Sequence, residues 1–124
     1  MTRWKRGAMP RLSIRIDFDQ EGRLGPGKVA LLERIASEGS ISAAGRSMNM
    51  SYKRAWELVA EINQSFIEPL VSAQTGGKTG GGAVLTPRGV ERIRHYRAIE
   101  RKALSATASH LKALQAISRG GRKK

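Results

Sequence analysis

Ser40-Ile41-Ser42-Ala43-Ala44-Gly45-Arg46-Ser47-Met48-Asn49-Met50-Ser51-Tyr52-Lys53-Arg54-Ala55 is the stretch on which the fold turns. Ser40 is a capping residue ahead of Ile41, Ala43 and Ala44, so a short helix opens there. Asn49 marks a tight turn, and Ser51 caps a second helix. Two helices that cross closely need small residues at the contact, and Ala43, Ala44 and Ala55 supply them. Met48 and Met50 place apolar side chains on either side of the turn. The second helix then begins with Tyr52, Lys53 and Arg54. In a helix-turn-helix this end of the second helix meets base edges in the major groove, where polar groups are required. No acidic residue occurs between Glu38 and Glu57, so nothing in this stretch repels phosphate. The competing reading is an ordinary helical hairpin with a solvated basic corner.

Working outward, the upstream residues predict a strand and a helix. Leu12, Ile14, Ile16 and Phe18 alternate with Ser13, Arg15 and Asp17, the pattern of a half-buried strand. Gln20 to Gly27 breaks it. A helix from about Pro26 to Glu38 carries Val29, Leu32 and Ala36 on one stripe with Leu31 and Ile35 beside it, and Gly39 stops it. Downstream, Ala55, Val59, Ile62 and Phe66 are the inward positions of the helix opened by Ser51. Trp56 adjoins that stripe and is expected in the core, whereas Tyr52 is expected to touch DNA.

Next come two short apolar segments, Leu70 to Gln74 and Ala83 to Leu85. They flank Thr75-Gly76-Gly77-Lys78-Thr79-Gly80-Gly81-Gly82 and read as a hairpin with a long glycine-rich tip. Such a hairpin after a recognition helix is a wing. Gly76, Gly77 and Gly80 let the main chain approach phosphates with its amides exposed, Lys78 adds a charge and Thr79 a hydroxyl. The stretch from Val71 to Val90 holds Lys78 and Arg88 and no acid. Pro87 opens a last helix of about 30 residues, far longer than average. Its apolar positions Val90, Ile93, Tyr96, Ile99, Leu104, Leu111 and Leu114 exceed what one small core needs, so they are expected at a homodimer interface.

The expected fold class is mainly α with a β-hairpin wing: a winged helix-turn-helix over residues 12–86 and a long dimerisation helix over 87–118. A basic arm (1–11) and a basic tail (119–124) flank them. Of the 124 residues, 23 are Lys or Arg and 10 are Asp or Glu, a net charge of +13. So lopsided a charge repels itself unless a polyanion neutralises it. Aromatic residues are 5% of the chain, too few for a surface that stacks single-stranded bases. DNA, RNA and anionic lipid are the candidate polyanions, and the helix-turn-helix and wing make double-stranded DNA the expected partner, met by Ser40, Ser42, Arg46, Ser51, Tyr52, Lys53, Arg54, the wing residues 76–80 and Arg88.

Other chemistries find little support. The absence of cysteine removes disulfides, thiolate metal sites and cysteine nucleophiles. His95 and His110 stand far apart, without metal-ligand or triad spacing. Gly77-Lys78-Thr79 lacks the earlier glycine of a P-loop, since Ser72 stands there, and Gly80-Gly81-Gly82 opposes the helix that should follow. No apolar run reaches membrane-spanning length and no signal peptide is evident, so the expected location is the cytoplasm, on the nucleoid. No cofactor, no metal and no enzymatic activity are expected. The alternatives are a non-specific nucleoid- or RNA-associated protein and, behind it, an oxyanion-binding module.

Three segments together carry a family resemblance: Gly39-Ser40-Ile41-Ser42, Met50-Ser51-Tyr52-Lys53-Arg54-Ala55-Trp56, and Thr75 through Thr86 with its run of glycines. Over about Leu12 to Ala103 the chain resembles the N-terminal domain of the ModE-type molybdate-responsive transcriptional regulators. The resemblance implies a LysR-like winged helix-turn-helix, dimerised partly through its long helix, acting on genes of molybdenum uptake and cofactor formation. That family carries C-terminal molybdate-binding domains beyond the long helix. The present sequence stops at Lys124, so the resemblance implies DNA binding and leaves open whether molybdate, another small molecule or a separate effector protein supplies a signal.

Overall fold

The computed structural model describes residues 10–18, 22–74 and 82–117. Eight elements lie among them: β1 (Ile16–Asp17), β2 (Arg23–Leu24), α1 (Pro26–Glu38), α2 (Ile41–Ser47), α3 (Tyr52–Gln64), β3 (Val71–Gln74), β4 (Gly82–Leu85) and α4 (Pro87–Ile117). Ile14–Arg97 forms one compact unit. Residues 98–117, with residues 10–13, fall in a second.

Local chemistry sets the helix ends. Pro26 stands in the first turn of α1, and Gly39 closes that helix at φ 81°, its N–H donating to the Ile35 carbonyl (2.9 Å). The Ser40 hydroxyl accepts from the Ala43 N–H (3.0 Å) and starts α2; the Ser51 hydroxyl accepts from the Arg54 N–H (3.0 Å) and starts α3. Between α2 and α3 Asn49 adopts φ 59°, a left-handed turn that asparagine tolerates. The Met48 and Met50 N–H groups both donate to the Gly45 carbonyl, and the two methionine side chains pack on the core.

That core gathers one face of each helix. Leu31, Leu32 and Ile35 of α1, Ile41 and Ala44 of α2, and Ala55, Leu58, Val59 and Ile62 of α3 are buried together with Leu70, Val71 and Ala83. Each large side chain taken from water contributes about 1.5–3 kcal/mol, so this cluster is the main source of stability. A smaller cluster of Leu24, Val29 and Tyr96 adjoins Ile16, Phe66 and Ile93. The α2–α3 crossing depends on Gly45, where an added Cβ would lie 2.8 Å from that of Ala55.

Polar contacts fasten the hairpin to the helices. β3 and β4 pair antiparallel, Val71 opposite Leu85 through Gln74 opposite Gly82. The Ala83 N–H donates to the Gly39 carbonyl (2.9 Å), which holds β4 beside the junction of α1 and α2. At the other end, the Asn63 carboxamide accepts from the Leu70 and Val71 N–H groups (2.9 and 3.1 Å) and donates to the Val71 carbonyl (3.2 Å). One side chain thus serves three backbone groups where α3 hands over to β3. Asn63→Ala leaves those groups without their partner and is expected to lower stability by about 2 kcal/mol, measured as a shift of the urea midpoint at unchanged slope.

Several expectations are corrected. The strand foreseen over 12–18 narrows to Ile16–Asp17, although half-buried and exposed positions do alternate from Arg11 to Asp17. Its partner β2 lies inside the stretch read as a break. Ala36 is exposed, because the buried stripe of α1 runs through Val29, Leu31, Leu32 and Ile35. α3 ends at Gln64, so Phe66 packs half-buried from the following loop. Trp56 is 41% exposed, not in the core. Tyr96 is 1% exposed and donates from its hydroxyl to the Ile14 carbonyl (2.6 Å), so it is core within its own chain and unavailable to a partner.

Candidate nucleic-acid interface

The turn from α2 to α3 presents a row of exposed side chains on one end of α3. Ala55, Leu58, Val59 and Ile62 commit one face of α3 to the core. A helix of period 3.6 with those positions inside must turn Lys53 and Glu57 outward and leaves Tyr52 and Trp56 on the flank of the stripe. Ser51, Tyr52, Lys53 and Arg54 are all exposed. They stand at the helix N-terminus, where unpaired N–H groups and the helix dipole favour an anion. Ser51 has accepted one of those N–H bonds through its hydroxyl oxygen, and a hydroxyl also carries a proton to donate.

The cations here are loosely tied. Lys53 lies 3.6 Å and Arg54 3.8 Å from Glu57, with Lys53 85% exposed. Such pairs contribute at most about 1 kcal/mol, so phosphates or base edges can take Glu57's place. Arg46 donates to the Ser42 hydroxyl (2.9 Å) across one turn of α2. Ser40, Ser42 and Tyr52 come together around a mostly apolar cleft of about 250 Å³, bounded also by Ile41, Trp56 and the hairpin residues Ala73, Gln74, Gly82 and Ala83. The hydrogen bond from Ala83 to Gly39 is what brings the hairpin to the start of α2.

Arg88 is placed differently from this cluster. It stands in the first turn of α4, held by Glu68 and Glu91. Its hydrogen bond to Glu68, then that to Glu91, raises its pKa above the ordinary value, and the bond from Arg88 holds Glu91 below its own. The count of acids along Val71 to Val90 missed both carboxylates, because they flank that stretch in sequence and close on it in space. Gly76, Gly77, Lys78, Thr79 and Gly80 lie outside the described residues, as do the basic arm and tail through residues 1–9 and 118–124.

Sequence reasoning also missed residues that hold these elements together. Gly45 and Gly89 each stand inside a helix, where glycine is costly relative to alanine, and that cost was the available signal of a close approach. Asn63 gave no signal, because nothing in the spacing of α3 marks a carboxamide that reaches a later strand. Of the long-helix positions, Val90, Ile99, Leu104 and Leu114 are exposed, Leu111 is half-buried, and Ile93 is half-buried against the core. His95 and His110 are exposed, and no group of three metal-ligating side chains occurs among the described residues. No helix among them is long and apolar enough to cross a membrane.

Comparison with known proteins agrees with this architecture. The chain is 48% identical over 92 residues to the molybdenum-pterin-binding protein MopB of Rhodobacter capsulatus, covering 74% of this chain and 34% of that one. It is 46% identical over 71 residues to the DNA-binding transcriptional dual regulator ModE of Escherichia coli strain K12, covering 57% and 27%. It is 39% identical over 92 residues to the molybdenum transport protein ModE of Azotobacter vinelandii, covering 74% and 33%. The chain thus spans about a third or less of the length of these relatives. The model of the bacterial regulatory helix-turn-helix proteins of the lysR family matches residues 27–90, from the first turn of α1 through the hairpin into α4. With more than half of its length matched, and with the capped helices, the turn and the hairpin all in place, the chain belongs to the lysR family of bacterial regulatory helix-turn-helix proteins.

Proposed function

We propose that this chain is a sequence-specific transcriptional regulator that binds duplex DNA as a homodimer. The observation that carries the reading is the exposed first turn of α3, with Tyr52, Lys53 and Arg54 clear of the core and a capped N-terminus aimed outward. In the proposed complex these three side chains meet base edges. Ser40, Ser42, Arg46 and Ser51 contact phosphates on the flanks, and the wing tip at residues 76–80 follows the adjacent backbone. Arg88 joins them only by exchanging Glu68 and Glu91 for phosphate.

The long helix is the proposed dimer element. Val90, Ile99, Leu104 and Leu114 leave apolar surface in water that a second copy would bury, with Leu111 contributing its remaining exposed part. A two-fold pair of recognition helices reads half-sites about 34–36 Å apart or a multiple of that. Molybdenum-related genes are the proposed targets, because relatives of this chain carry molybdenum in their names. Cytoplasmic location on the nucleoid follows from the same role.

The test is selection of duplexes from a random library, followed by anisotropy titration of the selected and of scrambled DNA at several salt concentrations. The expected result is a two-fold sequence motif, tighter binding of the selected duplex, and affinity that falls linearly in log–log form with salt. Equal affinity for both duplexes would replace operator reading by non-specific nucleoid binding. No affinity for any duplex at low salt would end both.

A further inference from the structure

Trp56 is the one large side chain of α3 that departs from its expected place. The positions of α3 that face the core take aliphatic residues, yet this ring stands at the surface, 41% exposed. Tyr52, one turn earlier, is 62% exposed and meets it edge to face, with centroids 6.0 Å apart and planes at 64°. Stability gains little from a half-wet indole, so its surroundings must be considered as a binding surface. With Tyr52 and Ile41, and with Ala73 and Ala83 from the hairpin, Trp56 lines the cleft between the recognition helix and the wing.

That cleft offers phosphate the Ser40 and Ser42 hydroxyls, and the rest of its wall is mostly apolar. Its lining holds no charged side chain, and the exposed cations Lys53 and Arg54 lie between Tyr52 and Trp56 in sequence, outside that lining. An apolar wall on a helix turn that also carries two exposed cations matches one part of the major groove, where a single apolar group stands among polar base edges beside a charged backbone. That group is the thymine C5-methyl. Resting on the DNA-binding role proposed above, we infer that Trp56, steadied by Tyr52, is a specificity-determining residue that packs on a thymine methyl. Lys53 and Arg54 then supply hydrogen bonds to neighbouring bases, and the aromatic pair supplies the apolar part of the readout. A purely charged helix turn would distinguish guanine well and thymine poorly, so the pair adds information that the cations lack.

Deoxyuridine in place of thymidine removes the methyl and keeps every hydrogen-bonding group and the sugar. Each thymidine of a duplex selected by the wild-type protein is replaced in turn, and affinity is measured for wild type, Trp56→Ala and Trp56→Phe. The expected result is one or two thymidines per half-site at which wild type loses about fourfold in affinity, the effect of one buried methyl-sized group. Trp56→Ala loses about the same factor on the thymidine duplex and binds the two duplexes equally. Trp56→Phe keeps part of the discrimination. Affinity for scrambled DNA is expected to fall by less than that factor in both variants, and the thermal melt separates any loss of fold from loss of contact.

If no thymidine is sensitive while Trp56→Ala weakens selected and scrambled duplexes alike, the ring packs on deoxyribose and the methyl readout is wrong. If sensitive thymidines exist but remain sensitive in Trp56→Ala, another residue reads them. Both results would leave the regulator role standing, since the wild type would still prefer its selected duplex. Failure of the selection itself would remove that role and this inference with it.

Discussion

Gly89→Ala is expected to lower the melting temperature by roughly 12–24 °C, although the change adds only one methyl group. A Cβ built at Gly89 lies 2.3 Å from the Leu70 carbonyl oxygen and 3.2 Å from its carbon. Both are backbone atoms that other bonds hold in place. The Leu70 carbonyl accepts from the Thr86 N–H (2.9 Å), the Thr86 hydroxyl donates to the Pro69 carbonyl (2.8 Å), and that same hydroxyl accepts from the Gly89 N–H (3.0 Å). Relief would require α4 to move off the start of β3, breaking its cap and exposing Leu70, which is fully buried. The cost belongs at the upper end of overpacking effects, about 3 kcal/mol, and a compact unit of this size loses roughly 4–8 °C per kcal/mol. Thermal unfolding followed by circular dichroism checks it. Gly27→Ala is the matched control: nothing lies within 4 Å of a Cβ there, and alanine is favoured over glycine in a helix, so the melt should rise slightly. Equal melts for the two variants would show that α4 and β3 do not approach so closely in solution.

Arg54→Ala has the largest expected effect on function: loss of about 1–3 kcal/mol of preference for the selected duplex over a scrambled one, with a smaller loss on the scrambled duplex itself. Arg54 is exposed in the first turn of α3, and its ion pair to Glu57 is 3.8 Å long. It gives up little on leaving Glu57 and has a planar fork suited to a guanine edge. Its backbone N–H caps on Ser51, a bond the substitution keeps, so the helix start survives. Titration of both duplexes at one salt concentration checks the prediction. A uniform loss on both would mean that Arg54 touches phosphate and carries no sequence information. Lys53→Ala provides the comparison, since its more exposed ammonium is a point charge without the fork.

Much of this architecture is legible in the sequence, for reasons that are local. Ser40 and Ser51 cap because a short hydroxyl side chain satisfies helix N–H groups within three residues. Gly39 ends α1 and Asn49 turns the chain because few other residues adopt left-handed backbone. The hairpin strands followed from two apolar segments around glycines. What was misread depended on contacts between distant segments. Trp56 adjoins the apolar stripe in a helical projection, and only the arrangement of α2 and the hairpin around α3 shows that no core lies on its side. Tyr96 has the spacing of an interface residue, and only the return of the chain near Ile14 gives its hydroxyl a carbonyl to bond and its ring a place inside.

From sequence alone came the helix-turn-helix, the wing, the excess of positive charge and the basic start of the recognition helix, because caps, turn residues and periodicity act over a few residues. The tertiary structure decided which aromatic rings are core and which face outward, where Asn63 and Gly89 join helix to strand, and that Arg88 is held by carboxylates. Those outcomes depend on which surfaces meet across long stretches of chain, and spacing along the sequence does not record it.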